Sequence, residues 1–231
     1  MKMKINHLSP IRCMMCRFEP AYEEFPLCPK CVSRMFELLT ERCKTCNKTA
    51  TDCTCGNREG LKFLFFYGSR YSKRIIYHIK HDMDVAVMDF LVDLAVDACE
   101  IKVDSFDAIA FVPRVRRNLL RSGYDQAEEI AKAFSRAYGV PIIYALEHSG
   151  RREQKLLSRK ERFENIKKSY RIAKAFENNK KFGKILLVDD VTTTGATMKA
   201  CAEILRENTA RQVVRFAFAK TNYFDRKASQ V

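Results

Sequence analysis

The sequence predicts an α/β protein, a parallel sheet flanked by helices, with a small metal-stapled module ahead of it. Three observations predict it. From residue 58 onward, apolar runs of strand length alternate with helical patterns, which implies a parallel sheet with helices on both faces. One run, Ile185–Val188, is continuously apolar, as expected of a central strand covered on both sides. Eight of the ten cysteines fall between positions 13 and 55, in a segment with little apolar material to build a core. The expected division is a module over residues 1–57 and an α/β domain over 58–231.

The cysteines come as four close pairs: Cys13 with Cys16, Cys28 with Cys31, Cys43 with Cys46, and Cys53 with Cys55. Two thiolates on one tight turn can reach the same tetrahedral ion, so eight ligands would fill two four-cysteine zinc sites. A site whose ligands are all cysteine leaves no open coordination position, which favours structural over catalytic zinc. Sequential pairing groups Cys13, Cys16, Cys28 and Cys31 apart from Cys43, Cys46, Cys53 and Cys55; a cross-braced pairing interleaves them, and spacing leaves both open. Disulfides would need an oxidising compartment. Met1–Pro10 contains no apolar signal-peptide core, so a cytoplasmic zinc module is expected. Cys99 and Cys201 sit in helical patterns and read as core residues.

In the second part, Leu61–Tyr67 reads as an apolar, aromatic strand. Tyr71–His81 reads as a helix with Ile75, Ile76 and Ile79 on one side, and Asp84–Cys99 as an amphipathic helix. Phe106–Val112 reads as a buried strand stopping at Pro113, and Tyr124–Tyr138 as a helix after Gly123. Pro141–Leu146, Lys184–Val188 and Gln212–Ala219 complete the predicted strands.

Forty-two Lys and Arg against twenty-eight Asp and Glu give a net charge of +14. That excess favours polyanionic partners, nucleic acid or phosphorylated ligands. No apolar run reaches the length of a membrane span; Val85–Val96 is broken by Asp89 and Asp93. The interval from Leu146 to Lys184 is long for a compact domain and strongly basic, with Arg151, Arg152, Lys155 and Arg159 at its start. Such a segment reads as a functional loop or as a solvated charged helix.

The most informative stretch runs from Lys184 to Thr197. An apolar run ends in Asp189-Asp190, followed by Thr192-Thr193-Thr194-Gly195-Ala196-Thr197 and a helical pattern. A helix N-terminus presents unpaired N–H groups to an anion, so this turn is a candidate phosphate cradle. Two acids ahead of it suit the hydroxyls of a sugar, since carboxylates accept strongly from O–H donors. The plainer alternative, a helix cap, accounts for one acid and not the pair.

This stretch resembles the phosphoribosyl pyrophosphate (PRPP) motif of type I phosphoribosyltransferases, with Thr192 standing where that motif usually has a larger apolar residue. The resemblance implies that Asp189 and Asp190 hold the ribose hydroxyls and that Thr192–Thr197 hold the 5′-phosphate. It also implies that Pro113 and Arg114 meet the pyrophosphate, with Mg²⁺ bound alongside PRPP. No residue stands out as a general base, and no acceptor pocket is legible.

Further motifs narrow the resemblance. Gln154, Leu157-Ser158-Arg159, Glu161-Arg162 and Asn165, the Val112-Pro113 strand end, the Gly123-Tyr124-Asp125-Gln126 turn, His78-x-Lys80, Tyr67-Gly68 and the cysteine pairs are together similar to the ComF competence family. This chain has Ser122 and Asp125 where that family usually shows Arg and Asn, which weakens any anion contact at the turn. The resemblance implies a phosphoribosyltransferase-like domain with a zinc ribbon. It further implies a role in natural transformation, with single-stranded DNA, PRPP and DNA-uptake machinery proteins as partners. Arg151, Arg152, Lys155 and Arg159 are then the DNA-binding candidates. An active phosphoribosyltransferase acting on a base, amine or ammonia is the alternative; biosynthetic transferases need neither the zinc module nor the basic excess.

Overall fold

The computed structural model describes residues 12–21, 26–55, 60–81, 84–115, 119, 123–149, 165–177 and 181–221. The basic residues Arg151, Arg152, Lys155 and Arg159 lie outside them. The fold class is the expected one, a parallel sheet with helices packed on it. Four strands, β1 (Leu61–Tyr67), β2 (Ala108–Phe111), β5 (Phe182–Thr192) and β6 (Ala210–Thr221), form one sheet in the order β1-β6-β5-β2. Every pairing in it is parallel. A short antiparallel pair, β3 (Leu146–His148) with β4 (Tyr170–Ile172), stands apart. The long helices are α1 (Pro29–Thr40), α2 (Arg70–His81), α3 (Val85–Ala98), α4 (Gln126–Tyr138) and α5 (Ala196–Asn208).

The continuous apolar run of β5 feeds both faces of the sheet. Leu186 and Val188 join a core built with α2, α3 and α4, while Ile185 and Leu187 join one built with α5. That division is the period-two alternation of a strand expressed between two covering layers. Cys99 and Cys201 are buried, as their helical settings predict.

The helix ends follow from local chemistry. Asp84 Oδ1 accepts from the N–H groups of Ala86 (2.9 Å) and Val87 (3.1 Å) and so starts α3. Asp125 Oδ1 accepts from Ala127 N–H at 3.0 Å and starts α4. Gly139, at φ 70°, ends α4 in the left-handed region that a residue with a Cβ enters at a cost.

Phe106–Val112 contracts to Ala108–Phe111 and Gln212–Ala219 lengthens to Ala210–Thr221, and two other predicted strands change more. Pro141–Leu146 reduces to a bridge: Ile109 N–H donates to Pro141 O and Ile143 N–H to Ile109 O, both at 2.8 Å. Beyond Ile143 the chain is drawn away, because Ala145 O accepts from Ala173 and Leu146 pairs with Ile172. In the opposite sense, the strand expected to stop at Val188 continues through Asp189 and Asp190 to Thr192. β6 supplies the reason, since Val191 and Thr192 find ladder partners in Ala219 and Lys220.

The cysteine-rich segment packs directly on this framework. Cys13, Met15, Leu27, Cys28, Cys31, Met35 and Leu38 share one core with α2, α3 and the sheet. Cys43, Ala50 and Cys53 pack with Phe63 and Phe66 of β1. The aromatic residues of β1 are therefore interior, with Phe63, Phe65 and Phe66 each at most 1 % exposed.

Candidate functional site

The cysteines assemble as two sets in sequential order, Cys13, Cys16, Cys28 and Cys31, then Cys43, Cys46, Cys53 and Cys55. In each set the sulfurs all lie within 4.8 Å of one another. A tetrahedral zinc–thiolate site, with bonds of about 2.3 Å, separates its sulfurs by about 3.8 Å. Cys16 and Cys28 are 3.8 Å apart at sulfur, and Cys46 and Cys53 are 3.3 Å apart. Each set can hold zinc, and the interleaved pairing is excluded by position. Burial raises the Cys16 thiol, yet the N–H groups of Glu19 and Phe18 outweigh it and bring that thiol down to about 6. At Cys43 burial is likewise overcome, by the N–H groups of Cys46 and Thr45, to about 6. Both thiols thus favour the thiolate that binds metal.

Helix α2 carries side chains that reach the turns of the first set. Tyr71 Oη donates to Cys31 O at 2.8 Å, and Arg74 Nη2 to Cys16 O at 3.3 Å. His78 Nε2 lies 3.2 Å from Met15 O, and because a carbonyl can only accept, that ring nitrogen carries the proton. His78, singled out in the sequence, is thus buried against the cysteine turns.

The second centre is the carboxyl end of β5, where ligands of open parallel sheets bind. Asp189 Oδ1 accepts from Asp190 N–H at 2.9 Å, and Asp190 Oδ1 from Val191 N–H at 2.6 Å. Desolvation pushes the Asp189 carboxyl well above the usual carboxylate range, reinforced by the adjacent Asp190 and by Asp125. Thr192 closes the strand and is 4 % exposed, so its side chain belongs to the interior rather than to an open cradle. Thr193 and Thr194 form the turn, and Gly195, at φ 76°, starts α5 from the left-handed region. Thr194 Oγ1 accepts from Ala196 N–H at 3.1 Å, shaping the first turn of α5.

Pro113 and Arg114 follow β2 on the other side of β5. The strand's ladder runs one residue further, with Val112 N–H donating to Val188 O at 3.1 Å. Arg114 N–H then donates to Asp125 Oδ2 at 2.8 Å. One carboxyl therefore caps α4 and fixes the loop after β2, a role for Asp125 that its sequence setting did not disclose.

Two lysines complete the surroundings. Lys80, in the last turn of α2, places Nζ 3.1 Å from Asp190 Oδ2. Lys220, only 6 % exposed at the end of β6, donates from Nζ to Thr193 O at 3.3 Å. Neither was a site candidate from sequence. Lys220 carried a usable signal, a lone lysine after the apolar run Phe216–Ala219 in a predicted buried strand. Cations flanking an acidic pair and a helix start can bind a ligand bearing both hydroxyls and phosphate.

No family model matches the chain. Over 118 residues it is 30% identical to "Competence protein F" of Haemophilus influenzae, a match covering 49% of this chain and 50% of that protein. The chain thus spans about half the length of this curated relative. The resemblance carried by the sequence motifs is found again in this match. Among solved structures the chain is similar to an adenine phosphoribosyltransferase, at TM-score 0.39 and 13% identity over 64% of this chain and 75% of that one. It is also similar to the glutamine PRPP amidotransferase of B. subtilis, at TM-score 0.41 and 16% identity over 62% of this chain and 30% of that one. Among the described residues no helix is long and apolar enough to cross a membrane.

Proposed function

We propose that the chain binds PRPP at the carboxyl end of β5 and serves DNA uptake in natural transformation by handling single-stranded DNA. The observation that carries the pocket is the acidic pair Asp189-Asp190 directly ahead of the Gly195-started helix, with Lys80 at one flank and Lys220 at the other. Asp189 and Asp190 would accept from the ribose hydroxyls, the turn from Thr193 to Thr197 would hold the 5′-phosphate, and Pro113 and Arg114 would face the pyrophosphate. Mg²⁺ bound with PRPP would supply charge neutralisation of the pyrophosphate. The two cysteine sets would hold structural zinc.

Ligand binding stabilises the native state by mass action, about 2.7 kcal/mol at a hundredfold excess over Kd. For a chain of this size that is a rise in Tm of about 5–10 °C. PRPP with Mg²⁺ is expected to give such a rise, and the double change Asp189→Ala and Asp190→Ala to remove it. An undiminished shift in the double variant would overturn the pocket assignment.

DNA binding is motivated by the net charge of +14 and the basic run around Arg151, Arg152, Lys155 and Arg159. Neutralised phosphates release counterions, so affinity for single-stranded DNA should fall log-linearly with salt and show little sequence preference. Replacing those four residues by Ala should weaken binding to all sequences and flatten the slope. If it does not, the run serves the pocket alone.

An active phosphoribosyltransferase is the second reading, favoured by Asp125, whose carboxyl acts on Asp189 and also fixes the backbone of Arg114. Catalysis there would consist of stabilising departing pyrophosphate and an oxocarbenium-like sugar. Pyrophosphate release from PRPP across bases, amines and ammonia distinguishes the two.

A further inference from the structure

With the aromatic residues of β1 interior, two of the exposed rings sit on or beside one basic face of the molecule. Tyr77 is 57% exposed on α2, and Phe18 is 80% exposed in the turn of the first cysteine set. From Arg70 to His81, α2 contains no Asp or Glu. Arg70, Lys73, Arg74, Tyr77 and His81 recur at helical spacing and so share one side of α2, while Ile75, Ile76, His78 and Ile79 take the buried side. Arg74 Nη2 donates to Cys16 O at 3.3 Å, which brings the cysteine turn carrying Arg17 and Phe18 against the same helix. Arg12 Nη1 holds that turn through Phe18 O at 3.5 Å. The rings of Tyr77 and His81 stack at 4.4 Å with a tilt of 35°. Cations and rings thus alternate along about 16 Å of helix surface.

Elsewhere the helix cations are answered by acids. Lys132 of α4 pairs with Glu128 and Glu129, and Arg136 with Asp89. Among the described residues, Arg70 and Lys73 have no acidic partner. An uncompensated basic stripe attracts a polyanion, and the rings decide which kind. A duplex keeps its base faces stacked within the helix, and an acidic peptide has none to offer. A single strand offers both a phosphate at every nucleotide and an open face on every base. We infer that the outer side of α2, with the Arg17-Phe18 turn, is a binding surface for single-stranded DNA, on which Tyr77 and Phe18 stack bases and Arg70 and Lys73 neutralise phosphates. The inference rests on the DNA-handling role proposed above and adds a surface apart in sequence from the run at Arg151, Arg152, Lys155 and Arg159.

Fluorescence anisotropy of the full chain with labelled oligothymidylate, over a salt series and beside a duplex of equal length, tests it. Tyr77→Ala should weaken single-strand binding by about tenfold without changing the salt slope, and leave the duplex within about threefold. Tyr77→Phe should restore most of the affinity. Lys73→Ala should instead lower the slope of log affinity against log salt by about 0.7. Thermal unfolding and zinc content check each variant, and if Tyr77→Ala does not fold, Tyr77→Leu carries the same comparison. Unchanged single-strand affinity in the Tyr77 variant, or equal losses for strand and duplex, overturns this surface and leaves the DNA role to the Arg151 run. Displacement by polyglutamate as readily as by unlabelled oligothymidylate of equal charge marks a face for acidic protein and overturns it as well. Wild-type protein that binds no single strand at low salt overturns the DNA role and the inference together.

Discussion

The first cysteine set and the acidic end of β5 are both touched by α2, yet they are built on opposite principles. At the cysteines, sulfurs converge at metal-binding distances and α2 supplies Tyr71, Arg74 and His78 to the carbonyls around them. Each contact there adds to stability. At the end of β5, two adjacent carboxyls are placed side by side and Asp189 is desolvated as well. That arrangement costs stability in the free protein, offset in part by Lys80 at Asp190. Substitutions in the two regions should therefore move stability in opposite directions.

The largest expected effect is at the cysteines. Replacing Cys13 and Cys16 together by Ser should remove one of about two zinc ions per chain and destabilise the whole fold, because this set shares a core with α2, α3 and the sheet. Elemental analysis and the cooperativity of thermal unfolding read this directly. The same change at Cys43 and Cys46 should also remove one ion but do less damage, since that set packs with Phe63 and Phe66. Equal destabilisation by both changes would break the comparison.

A smaller effect, of opposite sign, is expected at Asp189. Its carboxyl is raised in the folded protein, so between the ordinary and the raised value the folded state holds a proton that the unfolded chain has released. Stability from this group is complete below the ordinary aspartate range and is lost as pH rises through the raised value. Asp189→Asn should therefore raise Tm by about 2–4 °C, corresponding to about 1 kcal/mol. The gain should shrink towards pH 4 and grow towards neutrality. A variant less stable than wild type at pH 7 would show that the acidic pair is not under strain.

The smallest effect sharpens the role of α2. Tyr71→Phe keeps the ring and removes the hydroxyl that donates to Cys31 O and lies beside the Cys31 thiol, a loss of about 1 kcal/mol. If Tm falls by about 2–4 °C while zinc content is unchanged, the bond supports the docking of α2 rather than the metal itself.

The two regions also differ in how much of them the sequence discloses. Cysteine spacing is a local signal, so both sets were legible, and only their pairing awaited the fold. Asp189, Asp190 and Gly195 were legible for the same reason: a strand, two acids and a helix start lie within one short stretch. Lys80 and Asp125 stood out only as motif positions without a site role, and Lys220 only as a lysine closing an apolar run, because they reach that stretch from α2, the α4 cap and β6. The Thr192 and Lys220 pairing, for instance, exists only through the parallel register of β5 with β6. The predicted strand at Pro141–Leu146 failed because a strand's extent depends on its partners. Beyond Ile143 the chain pairs with residues around β4 instead. The same dependence lengthened β5 beyond its apolar run.

The strand order has a consequence for how the chain must fold. β6 is last in sequence among the described strands but lies between β1 and β5. Until it has been synthesised, β1 has no neighbour in its sheet, and Phe63, Phe65 and Phe66 lack one side of their final packing. A nascent chain with an aromatic strand in that condition is a candidate for aggregation. The cysteine-rich segment precedes β1, and with zinc bound each of its two sets would close on ligands within that segment. It can therefore fold first and shelter the aromatic strand until β6 arrives, a service resembling that of a built-in chaperone. Refolding yield should accordingly depend on whether metal is supplied at the start of refolding or only after the sheet has had time to form.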